Sequence, residues 1–568
     1  MKNRKYSRFA QFVLIPLIFA SGTGCNNFLD VDPDNSYSEE DILKRPKRAE
    51  GILLNAYLGL PSSVEFSDVA TDDAVSNLPG NSYRRAANGE WTSSFNPFSR
   101  WTSAYANIAY LNLFIDGIVN KVDWAPNSEQ QTVEYRKRLT GEARGLRAFY
   151  YWQLLQAHAG TGAVSGKLLG VPMILSAGAD YKIPVPRKDY QECIDLILED
   201  LEAAIAALPD VYADAPADDP QRSDKNAVYG ARYRNRMSAR TAGMLKARLL
   251  LQAASPAFNP SGDRTKWEAA ADAAAEVIDA AGGLAALTDA RLTYYLDPES
   301  PEHLWSKDPE NIRGWETNNF PPSLFGNGRT NPSQNLVDAF PCANGYPVDD
   351  PVHSGYDPVR PYDGRDRRLS LWIIHHGLVF KTVAINTVDD VNDGVDKVAE
   401  KSTRTGYYIR KLMNESVKLD PNAGVSQLHV TTLMRMTEAF LIYAEAANRA
   451  WGPDGKSRHA YSAREAAGKV RSTAGISPDP YLASLSTWQE LETLVRNERR
   501  LEFCFESVRF WDIRRWNDLQ TMTATVTGTG NGGKDFFPVE TRNYQPYMIC
   551  GPIPYSEVMK GLEQNQGW

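Results

Sequence analysis

The sequence predicts a mainly α fold of helical hairpins, interrupted by a loop-rich insertion with a few short strands. Three observations predict it. Apolar residues recur at steps of three, four and seven over long stretches, which lays stripes along helices. These stretches come in adjacent pairs, with small residues where partners would cross. Between Thr288 and Val425 the periodicity fades, and Pro, Gly, Asn and aromatic residues dominate. Loops that long are uncommon unless they do something. The expected frame therefore covers about 41–287 and 426–520, with the insertion at about 288–425. A chain of 568 residues can bury one large core or two.

The chain begins with Lys2, Arg4, Lys5 and Arg8, followed by the apolar run Phe12 to Ala20, too short to span a bilayer. Small residues Ser21 to Gly24 lead to Cys25. This is an export signal over 1–24. A cysteine directly after the small residues resembles a bacterial lipobox, with the Cys25 thiol as the acylation site, although Gly22 stands where Leu is usual. Several acyl chains on one residue give stable anchoring where one is marginal. Residues 25–40 read as an acidic tether carrying Asp30, Asp32 and Asp34. The chain has a formal charge of −8, and losing the four basic residues of the leader takes it to −12. That balance argues against nucleic acid as a partner and against a basic membrane-surface patch.

The first helix is expected at Arg138 to His158, with Leu139, Ala143, Leu146, Tyr150 and Leu154 on one face. The second is Tyr190 to Leu208, with Asp189 and Glu192 as a capping pair and Pro209 as its stop. Met237 to Ala254 carries Leu245, Leu249 and Ala253 on a stripe. Thr265 and Glu268 form a capping box for the next helix, which Gly282-Gly283 ends. A later pair is Thr431 to Ala450 and Tyr461 to Ala474. Such pairs resemble tetratricopeptide-type hairpins, though the strict repeat consensus is absent.

Asn497 to Trp516, NERRLEFCFESVRFWDIRRW, mixes acids, arginines and large apolar residues. Leu494, Leu501, Phe505 and Val508 make one apolar stripe, so the stretch reads as a half-buried helix. Each of Glu502, Glu506 and Asp512 has an arginine within about one helical turn, which keeps a carboxylate ionised and argues against an acid/base group. Cys504 within it reads as a small buried apolar group.

This stretch resembles the C-terminal signature of the SusD/RagB family of surface nutrient-binding lipoproteins. Other segments are similar in order. They include the C-x-x-F-L-D start at Cys25, RAFYYWQLLQAHAGTG, RMSARTAGMLKARLLLQAA, RMTEAFLIYAEAANRA, YDPVRPYDGRDRRL and the closing GPIPYSEV. The resemblance implies a single domain over 41–568 with a tetratricopeptide-like α-α superhelix. It also implies an outer-membrane lipoprotein, facing the cell exterior, that captures oligosaccharides for a SusC-like TonB-dependent transporter.

Two stretches carry the chemistry a saccharide needs. A sugar ring packs its C–H face on an aromatic ring and offers hydroxyls at the edge to carboxylate, amide and guanidinium groups. Ser67 to Trp101 supplies Asp72, Asp73, Arg84, Asn88, Trp91 and Asn96; Arg313 to Arg329 supplies Trp315, Asn319, Phe320 and Phe325. Each tryptophan reads equally as core or platform, and Asp72 also as a turn cap. In the resembled family these regions are similar in place to the glycan-binding surface, which favours the platform reading.

No nucleophile motif, phosphate loop or metal-ligand spacing is present, so no cofactor and no metal are expected. Two alternatives remain. A glycoside hydrolase would use Asp72 with a distant glutamate across a cleft. A RagB-like relative would bind peptides while docking a transporter.

Overall fold

The computed structural model describes residues 38–178 and 185–568. Cys25, the leader and most of the tether lie outside the described residues. The principal helices are α1 (Pro46–Leu58), α2 (Trp101–Leu113), α3 (Glu129–His158), α4 (Tyr190–Ala207), α5 (Ala239–Ala254) and α6 (Arg264–Ala280), then α7 (Met436–Trp451), α8 (Ala463–Thr473), α9 (Trp488–Glu502) and α10 (Arg509–Arg515). From α2 to α7 each helix packs on the next, and α7 also packs on α8 and α9. This is the expected tetratricopeptide-like row. The chain leaves it after α6 and returns at α7, which lies directly on α6. The long excursion therefore interrupts the sequence of the row but not its packing.

Glycines let α3 and α4 approach closely. A Cβ on Gly141 would sit 2.9 Å from the Ala207 Cβ, and one on Gly145 would sit 2.7 Å from the Met237 Cγ. Ser238 starts α5 by accepting the Thr241 amide at 3.2 Å.

Several local expectations are corrected. Asp189 makes no side-chain cap bond at the start of α4. The cap of α6 is Asp263, which accepts the Thr265 amide at 2.9 Å, so Thr265 and Glu268 form no box. Residues 432–435, expected as the start of a helix, form a strand instead. Three short antiparallel ribbons matter here. With β1 (Ala74–Ser76), β2 (His303–Ser306), β3 (Thr330–Pro332), β4 (Thr432–Arg435), β5 (Thr525–Gly530) and β6 (Asp535–Thr541), the pairs are β1:β3, β2:β4 and β5:β6. β4 is drawn straight by pairing with β2, Met434 opposite Trp305, before α7 begins. Pairing of residues far apart in sequence overrides local helical periodicity there.

The signature is two helices, not one. Between α9 and α10 the backbone turns left-handed at Phe505 (φ 66°) and Ser507 (φ 63°). The buried Asp68 carboxylate holds that turn, accepting the amides of Phe505 and Ser507 at 3.1 Å each. The break lets one short stretch enter three cores. Leu494 packs in the helical core, Leu501 and Phe505 in the core of the insertion, and Phe510 in a small aromatic core with Trp91 and Phe98.

Candidate functional site

The charges of the signature are paired, but largely with groups distant in sequence. Glu502 is fully buried and lies against Arg291, Arg368 and Arg435. Burial pushes its carboxyl up, yet the guanidinium groups of Arg291, Arg435 and Arg368 outweigh that and hold it down at about 2. Asp512 pairs with Arg499 at 3.0 Å and Arg515 at 2.7 Å, and Glu506 with Arg435 at 2.9 Å and Lys411 at 2.6 Å. Burial acts against the Asp512 charge too, but Arg499 and Arg515 outweigh it and hold that carboxyl low as well, so neither Glu502 nor Asp512 is an acid or base near neutral pH.

The same joint absorbs two of the proposed ligand residues. Arg509 grips Asp72 with two hydrogen bonds of 3.0 Å, and Arg500 reaches Asp72 at 2.8 Å and Asp73 at 2.6 Å. Burial acts against the Asp72 charge, but Arg500 and Arg509 win and keep the carboxyl low; Asp73, beside Asp72, is pushed up by burial first. Both acids are buried ties between the N-terminal loop and α9–α10. Asp72 is thus a correction to the sequence reading, and it is no free acid for the hydrolase alternative.

Four more residues are corrected by their burial, and half-buried Asn96 by its hydrogen bonds. Trp91 is 3% exposed. Its Nε1 donates to Asn96 Oδ1 at 2.9 Å, and its ring meets Phe98 and Trp568 edge-on at 5.1 and 4.9 Å. The Asn96 oxygen is spent there, since it also accepts the Phe98 amide at 3.0 Å. Trp315 packs edge-on against His429 at 5.1 Å in the insertion core. Asn319 donates to Trp315 O at 3.1 Å and accepts the Thr330 amide at 3.2 Å, and Phe320 is wholly buried against Phe380. Chain direction and packing aim these groups inward, so none offers a platform.

Three expected residues do reach the surface: Arg84, Asn88 and Phe325. The two stretches that carry them meet, because β1 pairs with β3 and Asn77 Nδ2 donates to the carbonyls of Asn327 and Gly328 at 2.9 and 2.7 Å. Phe325 is 58% exposed at the tip of its loop, in the left-handed region at φ 65°. That conformation costs a non-glycine residue about 1–2 kcal/mol. It is held by Ser323, whose amide donates to Asp393 at 2.9 Å, and by the Phe325 amide on Pro322 O at 2.9 Å. Asn88 is exposed where the helical backbone ends, next to Gly89 at φ 103°.

The structure adds residues that the sequence reading missed. Arg84 Nε donates to Glu540 Oε1 at 2.6 Å, Arg404 shares that oxygen, and Arg542 donates to Oε2 at 3.0 Å. Burial pushes the Glu540 carboxyl up, but these three cations outweigh it and hold it low. Arg542 is buried and also spent on Thr71 O and Ala74 O, so the donors left over around this one carboxylate are those of Arg84 and Arg404. Glu540 lies on the β5:β6 hairpin, whose Phe536 is 58% exposed. The hairpin is fixed to the 403–405 turn by the Thr529 amide on Thr405 O at 2.8 Å, and that turn to β3 by the Arg404 amide on Asn331 at 3.1 Å. A rim thus forms around β1:β3, with open rings at Phe325 and Phe536 and donors at Arg84, Asn88 and Arg404. The run TVTGTGNGGKDFFPVE is itself a hairpin signal, alternating residues about a Gly-rich turn, and marks Phe536 and Glu540.

Among the described residues no helix is long and apolar enough to cross a membrane. Residues 301–568 match the model of the SusD family, and residues 27–234 match a model described as starch-binding associating with outer membrane. The chain is 21% identical over 559 residues to SusD-like protein P38 of Formosa agariphila, covering 92% of this chain and 94% of that one. Its fold is similar to that of a SusD-like protein of Bacteroides fragilis, with TM-score 0.72, 22% identity and coverage of 94% and 99% of the two chains. A SusD-like carbohydrate-binding protein of the same organism follows at TM-score 0.70 and 19% identity, covering 91% and 99%. The two family models, which between them match residues 27–234 and 301–568, and the relative matched over nearly its whole length agree: the chain belongs to the SusD family.

Proposed function

We propose that this chain is a cell-surface glycan-binding lipoprotein. It captures oligosaccharides on the rim around β1:β3 and delivers them to a SusC-like TonB-dependent outer-membrane transporter. The observation that carries the reading is the pairing of exposed rings, Phe325 and Phe536, with the surplus guanidinium donors around Glu540. Rings take the C–H face of a sugar, and guanidinium and amide groups take its hydroxyls. The similarity to a protein named as carbohydrate-binding supports the same ligand class. The lipobox-like Cys25 and the family description that names the outer membrane support an anchored location. Binding by stacking and hydrogen bonds breaks no bond, and selectivity comes from the spacing of rings and donors.

Calorimetry of the soluble protein from Asn26 onward tests this against neutral, acidic and host-derived oligosaccharides. Heat with one class names the cargo. Silence across the panel from a folded protein overturns glycan capture by the isolated chain and turns attention to peptides or to a site completed by the transporter.

A further inference from the structure

A cleft of about 230 Å³ opens between the helical row, β4 and the signature helices. It shares no residue with the rim. One face of α3 lines it with Trp152, Gln153 and Gln156, and Trp511 of α10 stands among the other lining residues. These four side chains are half-buried. Among the described residues the Gln153 and Gln156 amides and the two indole N–H groups make no hydrogen bond, and none of them is sealed from solvent. Half-buried polar groups that no protein atom holds, on the wall of a cleft, are free to meet a ligand's hydroxyls.

The charged groups of the cleft are, by contrast, already spent. Arg100 pairs with Glu65 at 2.5 Å, and Arg248 grips Glu438 with two contacts of 2.9 Å. Arg435 and Glu506 pair at 2.9 Å, and Arg499 and Arg515 share Asp512. Arg514 also lines the cleft and has no carboxylate partner among the described residues, but its guanidinium lies on the Phe510 ring at 3.4 Å, and its unbonded Nε and Nη2 atoms are sealed from solvent. Except at Arg514, whose free nitrogens solvent does not reach, a charged ligand would have to break an existing pair. A neutral ligand with several hydroxyls would use the amides and indoles as they stand.

Size narrows the ligand further. Sites for drug-sized molecules begin at roughly 300 Å³. At about 230 Å³ the cleft lies below that, which suits a small ligand of about one ring.

We propose that this cleft is a second binding site, for one neutral polyhydroxylated ring of pyranose size. Such a ring would lie against Trp152 or Trp511 with hydroxyls on Gln153 and Gln156. Because the cleft stands apart from the rim, it would hold a ring whether or not the rim holds a chain.

Saturation-transfer NMR on the soluble chain with methyl glycosides of glucose, galactose, mannose and xylose tests this. At least one should bind. The double substitution Gln153→Ala with Gln156→Ala should weaken it by about tenfold, in line with two lost hydrogen bonds. Phe325→Ala should leave it within about twofold. No transfer from any of the four, or the same affinity in the folded double variant, overturns the site. Monosaccharide binding lost in Phe325→Ala and kept in the double variant also overturns it, by placing the ring on the rim. Monosaccharide binding that survives while the oligosaccharide panel is silent would sink the rim reading alone.

Discussion

The arginine-rich joint at α9–α10 and the rim around β1:β3 are made of the same residue types and have opposite fates. Both combine arginines, carboxylates and aromatic rings. In the joint the charges are dry and matched: Arg291, Arg368 and Arg435 meet Glu502, but Arg368 also meets Asp366 and Glu498 and Arg435 also meets Glu302 and Glu506, while Arg500 and Arg509 face Asp72 and Asp73. At the rim Arg84, Arg404 and Arg542 crowd one carboxylate, and rings are left in water. A balanced buried network has nothing left to offer a ligand, whereas an unbalanced and open one does. Charge pairing and exposure, not residue type, separate the part that holds the fold from the part that can bind.

The sharpest way to break this comparison is Glu502→Ala. It leaves three buried guanidinium groups short of a partner, and removing one member of a buried ion pair costs about 3–5 kcal/mol. The urea midpoint should fall accordingly; a loss under about 1 kcal/mol, typical of an exposed pair, would mean that the joint is not what ties the cores. Next is Trp91→Ala, which empties part of the aromatic core and should cost about 3–5 kcal/mol. Were it to abolish ligand binding at unchanged stability, the burial argument against a platform would fail.

A pH effect of about 3 kcal/mol should follow from His158, which anchors the loop entering α2. Burial pushes its imidazole from 6.5 down to about 4, while Nδ1 contacts Pro552 O at 2.7 Å. The folded chain therefore prefers the neutral ring, and the unfolded chain takes up the proton first. The contribution is full above about pH 6.5, falls as the pH drops toward 4, and is flat below that. Denaturation of the native chain and of His158→Gln across this range gives the difference directly, and parallel curves would contradict it.

The smallest effect on stability belongs to Phe325→Ala. An exposed ring at a strained tip should change unfolding by less than about 0.5 kcal/mol, while oligosaccharide affinity drops about tenfold. Equal affinity in the variant would remove Phe325 from the rim site and leave Phe536 as its ring.

The helical row was legible because amphipathic periodicity is local. The stripe Leu139, Ala143, Leu146 and Tyr150 is buried on α3 as its spacing requires. The break at Phe505 was not legible, because its cause is Asp68, more than four hundred residues away. Trp91 and Phe325 show the same limit at the site. In sequence both are aromatic residues among Gly, Asn and Arg; in the fold one is 3% and the other 58% exposed.

By itself the sequence determined the family, the order of the helices, and the two stretches from which a rim could be built. Stripe spacing, glycine stops and a dense arginine signature are properties of neighbouring residues. Only the tertiary structure decided which charges cancel and which rings face water. Arg84, Arg404 and Glu540 are brought together by β1:β3 and the β5:β6 hairpin. Burial and pairing are long-range quantities, set when distant segments close on one another, and no local pattern records them.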